Sequence, residues 1–187
     1  TWYRAGAQPA LQVCVRRSGR VVLNRAVGHA RGAGPRDPAD AEQIPVTVDT
    51  PYCCYSAGKG LAAAIVLHLA DQGVWRLDDR VTDYLPEYGA HGKGRTTIDH
   101  VLTHRAGVPL LTGPKPDPRR MRESEYARTM LRELRPIYPP GTLHMYHGLT
   151  WGPLVRELVS AATGRSIRDI AADEFLNPLG FRWNNSG

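Results

Sequence analysis

The stretch 56–73, SAGKGLAAAIVLHLADQG, constrains the fold more than any other segment. Leu61, Ile65 and Leu69 recur at i, i+4 and i+8, so they share one face of a helix. Ala62, Ala63 and Ala64 are strong helix formers, and Gly73 supplies a C-terminal stop. A helix with so apolar a face must be buried, so the rest of the chain has to build a core around it. The later segments read the same way. Residues 81–85 form a short helix closed by Pro86, and 97–103 form another, capped by Thr96 or Thr97. Residues 124–134, 149–163 and 167–175 form three more helices, the second stopped by Gly164 and the third ending before Pro178. A proline- and glycine-rich loop fills 105–118, and Tyr138-Pro139-Pro140-Gly141 makes a turn.

Ahead of this helical body lie two alternating segments, 11–16 and 20–28, separated by Ser18-Gly19. They read as a β-hairpin with a short turn. Residues 31–51, rich in Gly, Pro, Asp and Ala, read as a surface loop.

The charge balance excludes little but ranks the partners. The net charge is +6, and only three of the 24 basic residues are lysine. The densest basic stretch, 119–135, interleaves arginines with Glu123, Glu125 and Glu133, which is the pattern of a solvated helix face. No basic-aromatic platform or zinc spacing accompanies it, so no nucleic-acid partner is expected. The three cysteines, Cys14, Cys53 and Cys54, match no disulfide framework; Cys53 and Cys54 are expected to be small buried hydrophobes. No Cys/His cluster suggests a metal, and no cofactor is expected. No apolar run of about 18 residues exists, so no membrane span is expected. Thr1-Trp2-Tyr3-Arg4 has no apolar leader character, and the expected compartment is the cytoplasm.

Ser56 and Lys59 are the residues with the most chemical potential. Three residues apart on a helix, they lie on one face with Cβ atoms about 5–6 Å apart. A serine at a helix start sits among free N–H groups that can help to hold an oxyanion. Burial disfavours the charged form of a lysine, so an enclosed lysine can take the hydroxyl proton. Taken alone, the spacing also fits a capping serine with a surface lysine one turn later. The apolar run Tyr52–Tyr55 and the apolar helix face favour a partly enclosed Lys59.

Around this pair stand several ordered motifs. VDTPYCCYSAGKG contains an S-x-x-K nucleophile motif. TTIDHVLTHRAGVP, YPPGTLHMYHGLTWGPL and ATGRSIRDIAADEFLNPLGF come after it in order. Together they resemble the serine β-lactamase and penicillin-binding protein superfamily over residues from about 10 to the end. The chain is most similar to the class C-related esterase branch, that of the family VIII, lipase-like carboxylesterases.

The resemblance implies an α+β, β-lactamase/transpeptidase-like fold. Residues 1–187 would be one domain's N-terminal portion, with a hairpin at 11–28 and a mostly helical region at 56–187. It implies an acyl-Ser56 intermediate, with Lys59 and Tyr146 managing the proton, and a small-molecule ester or amide substrate. Lactamases of the family carry Asn two residues after this tyrosine. Gly148 stands there instead, which weakens a lactamase or D,D-peptidase reading and suits an ester substrate.

His147, Gly148 and Trp151 are candidates to line the substrate pocket, although His147 and Trp151 could equally be structural. His104 is expected to hold backbone by hydrogen bonds rather than to act as a triad base, and His68 to pack. The family's third motif, Lys-Thr-Gly or His-x-Gly, does not occur after Tyr146, and the later sheet strands are missing. Three possibilities remain: a fragment, a chain completed by a second polypeptide, or a non-catalytic relative.

Overall fold

A computed structural model describes residues 3, 5–112, 116–117 and 119–181. Gly113, Pro114 and Pro118 of the expected loop, and the terminus at Gly187, lie outside the described residues. The chain divides into two compact units, Thr1–Cys53 and Cys54–Gly187.

The first unit is a three-stranded antiparallel sheet in the order β1-β2-β3. Strands β1 (Ala10–Arg17) and β2 (Arg20–Arg31) form the expected hairpin, and β3 (Ile44–Pro45) pairs with the end of β2. Ser18 and Gly19 both take positive φ, 48° and 76°, as the tight turns whose twist matches a hairpin require. The register sets Leu11 opposite Val27 and Val15 opposite Leu23, with a bulge between Val15 and Arg16. Leu11, Val13, Val15, Leu23 and Val27 therefore share one face, and all five remain exposed. Strand β3 is a correction to the expected surface loop. Two residues bounded by turn-forming neighbours carry no alternation to read.

The cysteines correct a second expectation: Cys14, Cys53 and Cys54 are all exposed. Cys14 pairs with Asn24 on the more polar face of the hairpin, alongside Gln12. Cys53 and Cys54 lie ahead of the first helical turn, with Cys54 at its N-cap, so they have no helix face to bury.

Among its described residues the second unit packs five short helices: α1 (Gly58–Asp71), α2 (Ile98–Leu102), α3 (Ser124–Glu133), α4 (Trp151–Thr163) and α5 (Ile167–Ile170). A π-helical turn, Ala171–Leu176, continues α5. The apolar face of α1 buries Ile65, Val66 and Leu69 in one cluster with Leu154 and Leu158 of α4, Leu131 of α3 and Ile170 of α5. Each such side chain is worth about 1.5–3 kcal/mol in transfer free energy. Thr97 caps α2 as expected, its Oγ accepting from His100 N–H at 3.2 Å. Glu157 of α4 is buried, yet it accepts from Ser124 Oγ at 2.5 Å, Arg128 Nε at 3.0 Å and Arg156 Nε at 2.9 Å. A buried carboxylate costs little when it is fully paired, and this one ties α3 to α4.

Between Asp71 and Ile98 the chain runs through 3₁₀ turns at Val81–Asp83 and Pro86–Gly92. Lys93 comes next and is wholly buried. Its ammonium donates to the carbonyls of Ala90 at 2.6 Å, Arg132 at 2.9 Å and Leu134 at 2.6 Å. It also sits 5.3 Å from the centre of the Tyr88 ring. Burial pushes it down to about 8, so at neutral pH it keeps the three protons that these carbonyls need. A cation at the C-terminal carbonyls of α3 also complements the helix dipole.

Lys93→Met should leave three buried carbonyls without a donor, at about 1–3 kcal/mol each before relaxation. The expected outcome is a loss of at least about 3 kcal/mol in urea unfolding at pH 7. A loss below about 1 kcal/mol would show that water replaces the ammonium there.

Candidate active site

Two loops and one helix start form the site. The entry to α1 is a 3₁₀ turn, Tyr55–Ala57, that carries Ser56; Lys59 lies one turn on, within α1. Tyr55 takes φ 42°, a left-handed conformation uncommon for a bulky residue. This places Ser56 just ahead of the helix rather than as its cap, since the N-cap of α1 is Ala57. Ser56 is exposed and Lys59 half-buried.

The second wall is a backbone splice. Segment 104–108, after α2, is laced to segment 137–150, ahead of α4. Ile137 N–H donates to Gly107 O at 2.9 Å, Gly141 N–H to Arg105 O at 2.8 Å and Met145 N–H to His104 O at 3.1 Å. Thr150 Oγ donates to Val108 O at 2.6 Å. Gly107 is needed for the close approach. Its φ is 83°, and an added Cβ would lie 2.5 Å from Tyr138 O. This lacing holds Tyr146 and Gly148 against Lys59.

Lys59 Nζ donates to Ser56 Oγ at 3.3 Å and to Gly148 O at 3.3 Å, and it lies 5.2 Å from the Tyr146 ring centre. Trp151 walls the group from behind. Its ring centre is 6.0 Å from Lys59 Nζ, and its own Nε1–H donates to Val101 O at 2.9 Å. Tyr146 is half-exposed. Hydrogen bonding with Ser56 and then with Lys59 holds its phenol below the ordinary tyrosine range, and the Lys59 charge adds to this. A serine hydroxyl, an ammonium and an acidified phenol thus share one network, which can take a proton from the hydroxyl and return it.

The five site residues Ser56, Lys59, Tyr146, Gly148 and Trp151 are brought together. Gly148 contributes its carbonyl, a backbone role that no side-chain pattern in the sequence reveals. His147 points elsewhere. Its ring is buried, with Nδ1–H donating to Met145 O at 2.6 Å and Nε2 accepting from Val108 N–H at 3.0 Å. Both ring nitrogens are spent on backbone, so the imidazole holds the splice instead of facing a substrate. His104 holds backbone as expected, its Nδ1 accepting from His147 N–H at 3.1 Å. His68 does more than pack: it pairs with Glu174 at 2.8 Å, tying α1 to the π-helical turn. Among the described residues no group of His, Cys, Asp and Glu could hold a metal ion, and no helix is long and apolar enough to cross a membrane.

Burial pushes the His147 imidazolium down, and nearby His144 pushes it further, while donation to Met145 O opposes both. The folded state therefore disfavours protonation relative to the unfolded chain, whose value is near 6.5. The stability this gives is complete above about pH 6.5 and is lost as the pH falls below it. His104, also lowered, acts in the same sense. Unfolding stability should decline from pH 7 to pH 5, and His147→Gln should make the decline shallower while costing about 1–3 kcal/mol at pH 7. Urea titrations at the two pH values check both; an equally steep decline in the variant would show that His147 does not cause it.

The Beta-lactamase family model matches residues 2–185. The chain is 31% identical to Esterase/beta-lactamase LipL of Mycobacterium tuberculosis over 139 residues, which are 73% of this chain and 31% of that protein. It is 31% identical to Penicillin-binding protein 4 of Amycolatopsis lactamdurans over 146 residues, 73% of this chain and 36% of that one. A penicillin-binding protein homologue from Caulobacter crescentus superposes with a TM-score of 0.82 at 26% identity, over 96% of this chain and 46% of that one. A family VIII carboxylesterase superposes with a TM-score of 0.80 at 27% identity, over 96% and 47%. The chain thus spans about a third of the length of these curated relatives and just under half of these solved structures. With a family match over nearly its whole length and the same fold in its neighbours, the chain belongs to the Beta-lactamase family of serine hydrolases.

Proposed function

We propose that this chain carries the nucleophile of a carboxylesterase that works through an acyl-Ser56 intermediate. The observation that supports the reading is Lys59 Nζ, 3.3 Å from Ser56 Oγ, beside a phenol acidified by hydrogen bonds with the same two residues. In the proposed reaction Tyr146 acts as its phenolate: Ser56 Oγ attacks the ester carbonyl, its proton passes to the phenolate oxygen, and the carbonyl oxygen becomes the oxyanion. The Lys59 charge favours the phenolate beforehand and then the negative character on Ser56 Oγ as it attacks. Collapse of the tetrahedral intermediate expels the alcohol, which takes its proton from Tyr146. A water then gives its proton to Tyr146 and attacks the acyl carbonyl, and the acid leaves as Ser56 recovers the proton. Before the reaction half-buried Lys59 donates to both Ser56 Oγ and Gly148 O.

The choice of ester over lactam rests on Gly148. It lies two residues after Tyr146 and offers only backbone to a substrate, and its carbonyl already accepts from Lys59. A D,D-peptidase or β-lactamase is the second reading, favoured by the likeness to Penicillin-binding protein 4. A second polypeptide completing the site is compatible with either, so the test uses the full-length protein.

A fluorophosphonate probe should label the full-length protein at Ser56, and Ser56→Ala should abolish the label. A label that survives Ser56→Ala overturns the assignment. Tyr146→Phe should lower kcat on a short-chain nitrophenyl ester by roughly 10²–10⁴-fold. Acylation of Ser56 by a fluorescent penicillin without ester turnover would favour the second reading.

A further inference from the structure

His104 occupies a backbone position at which its side chain is a cost. Helix α2 ends at Leu102 with Thr103 as C-cap. The next residue, His104, takes φ 57°, in the left-handed region. Its N–H donates to Val101 O at 3.1 Å, and Arg105 N–H donates to His100 O at 2.6 Å. That pair of bonds is the Schellman closure, in which the left-handed residue is usually glycine. A side chain there costs roughly 1–2 kcal/mol. Strain of this kind persists where the surrounding structure uses it.

The neighbours of His104 show the use. Its carbonyl accepts from Met145 N–H at 3.1 Å. Its Nδ1 accepts from His147 N–H at 3.1 Å. Its ring lies 4.8 Å from the ring of Tyr146, the residue between those two. One residue therefore grips the backbone on both sides of Tyr146 and supports its phenol ring. The left-handed turn brings this about, because it aims the carbonyl and the imidazole at the same strand of chain. The remaining faces of the ring are lined by His147 at 5.7 Å, Trp151 at 6.0 Å and His144 at 6.2 Å, with the Lys59 charge nearby.

We propose that His104 is the positioning residue of Tyr146, a three-point clamp that sets the phenol against Ser56 and Lys59. The proposal rests on Tyr146 being the proton carrier of the esterase reaction. The clamp works only with neutral His104, because Nδ1 must accept. Burial disfavours the imidazolium, and the electrostatics of neighbouring His147, His144 and Lys59 disfavour it further. Errors of about 1 Å in placing a reacting group can cost about 10²-fold in rate, which sets the scale expected here.

His104→Gly tests the clamp, because glycine suits the left-handed turn and keeps the carbonyl. A merely structural His104 would leave this variant as active as the parent. The measurements are made on the full-length enzyme: the Tyr146 phenol titration by ¹³C-tyrosine NMR, assigned with Tyr146→Phe, and ester kinetics. The clamp requires His104→Gly to raise the phenol's pKa and to lower kcat by roughly 10–100-fold, with KM within about twofold. His104→Asn tolerates the same φ and can present an oxygen to His147 N–H, so it should recover part of both; it also serves if the glycine variant does not fold. A phenol titration unchanged in His104→Gly and His104→Asn overturns the proposal, whatever happens to kcat. Full ester turnover by Tyr146→Phe instead overturns the catalytic reading, and a phenol that still responds to His104 would leave the clamp standing.

Discussion

The site depends on the lacing of segment 104–108 to segment 137–150. Neither is a helix or a strand, so their backbone groups must find partners across the gap or leave polar groups unpaired in the interior. Buried His147 solves the hardest part. It gives Nδ1–H to Met145 O and takes Val108 N–H on Nε2, so one neutral imidazole satisfies groups from both segments. Around it Gly107 lets the backbones approach, and Thr150 closes the end nearest α4. Without this seam Tyr146 and Gly148 would have no defined place beside Lys59. The apolar packing of α1 against α4 fixes one wall of the site, and the seam fixes the other.

Much of this is legible in the residues, and the parts that are not share a cause. Leu61, Ile65 and Leu69 announce α1 because a 3.6-residue period is a strong local signal. Thr97 and Gly164 mark helix ends through their capping chemistry, and both lie where expected. The catalytic candidates come from ordered motifs, and Ser56, Lys59 and Tyr146 do lie together. Backbone chemistry and non-local pairing escape such a reading. Strand β3 is two residues long, the Gly148 carbonyl has no side-chain signature, and the grip of His104 on Tyr146 joins residues about 40 positions apart. The cysteines differ for another reason. Their apolar character suggests burial, but they lie in segments with no buried face.

The family assignment and the local chemistry answer different questions. A Beta-lactamase family match over residues 2–185 gives the fold and a serine-hydrolase background. It does not choose between ester and lactam, since the relatives carry both kinds of name. The proposed ester reading takes that choice from one position, Gly148, which carries no side chain.

The first unit bears on biosynthesis. Its hairpin, closed by a tight turn at Ser18 and Gly19, can form within microseconds of emerging from the ribosome. The helices of the second unit are still to be made at that point. Leu11, Val13, Val15, Leu23 and Val27 then face water or a chaperone on a ready-paired ribbon. The same five side chains are still exposed in the folded chain. An apolar face of this kind is a standing aggregation hazard from its synthesis onward.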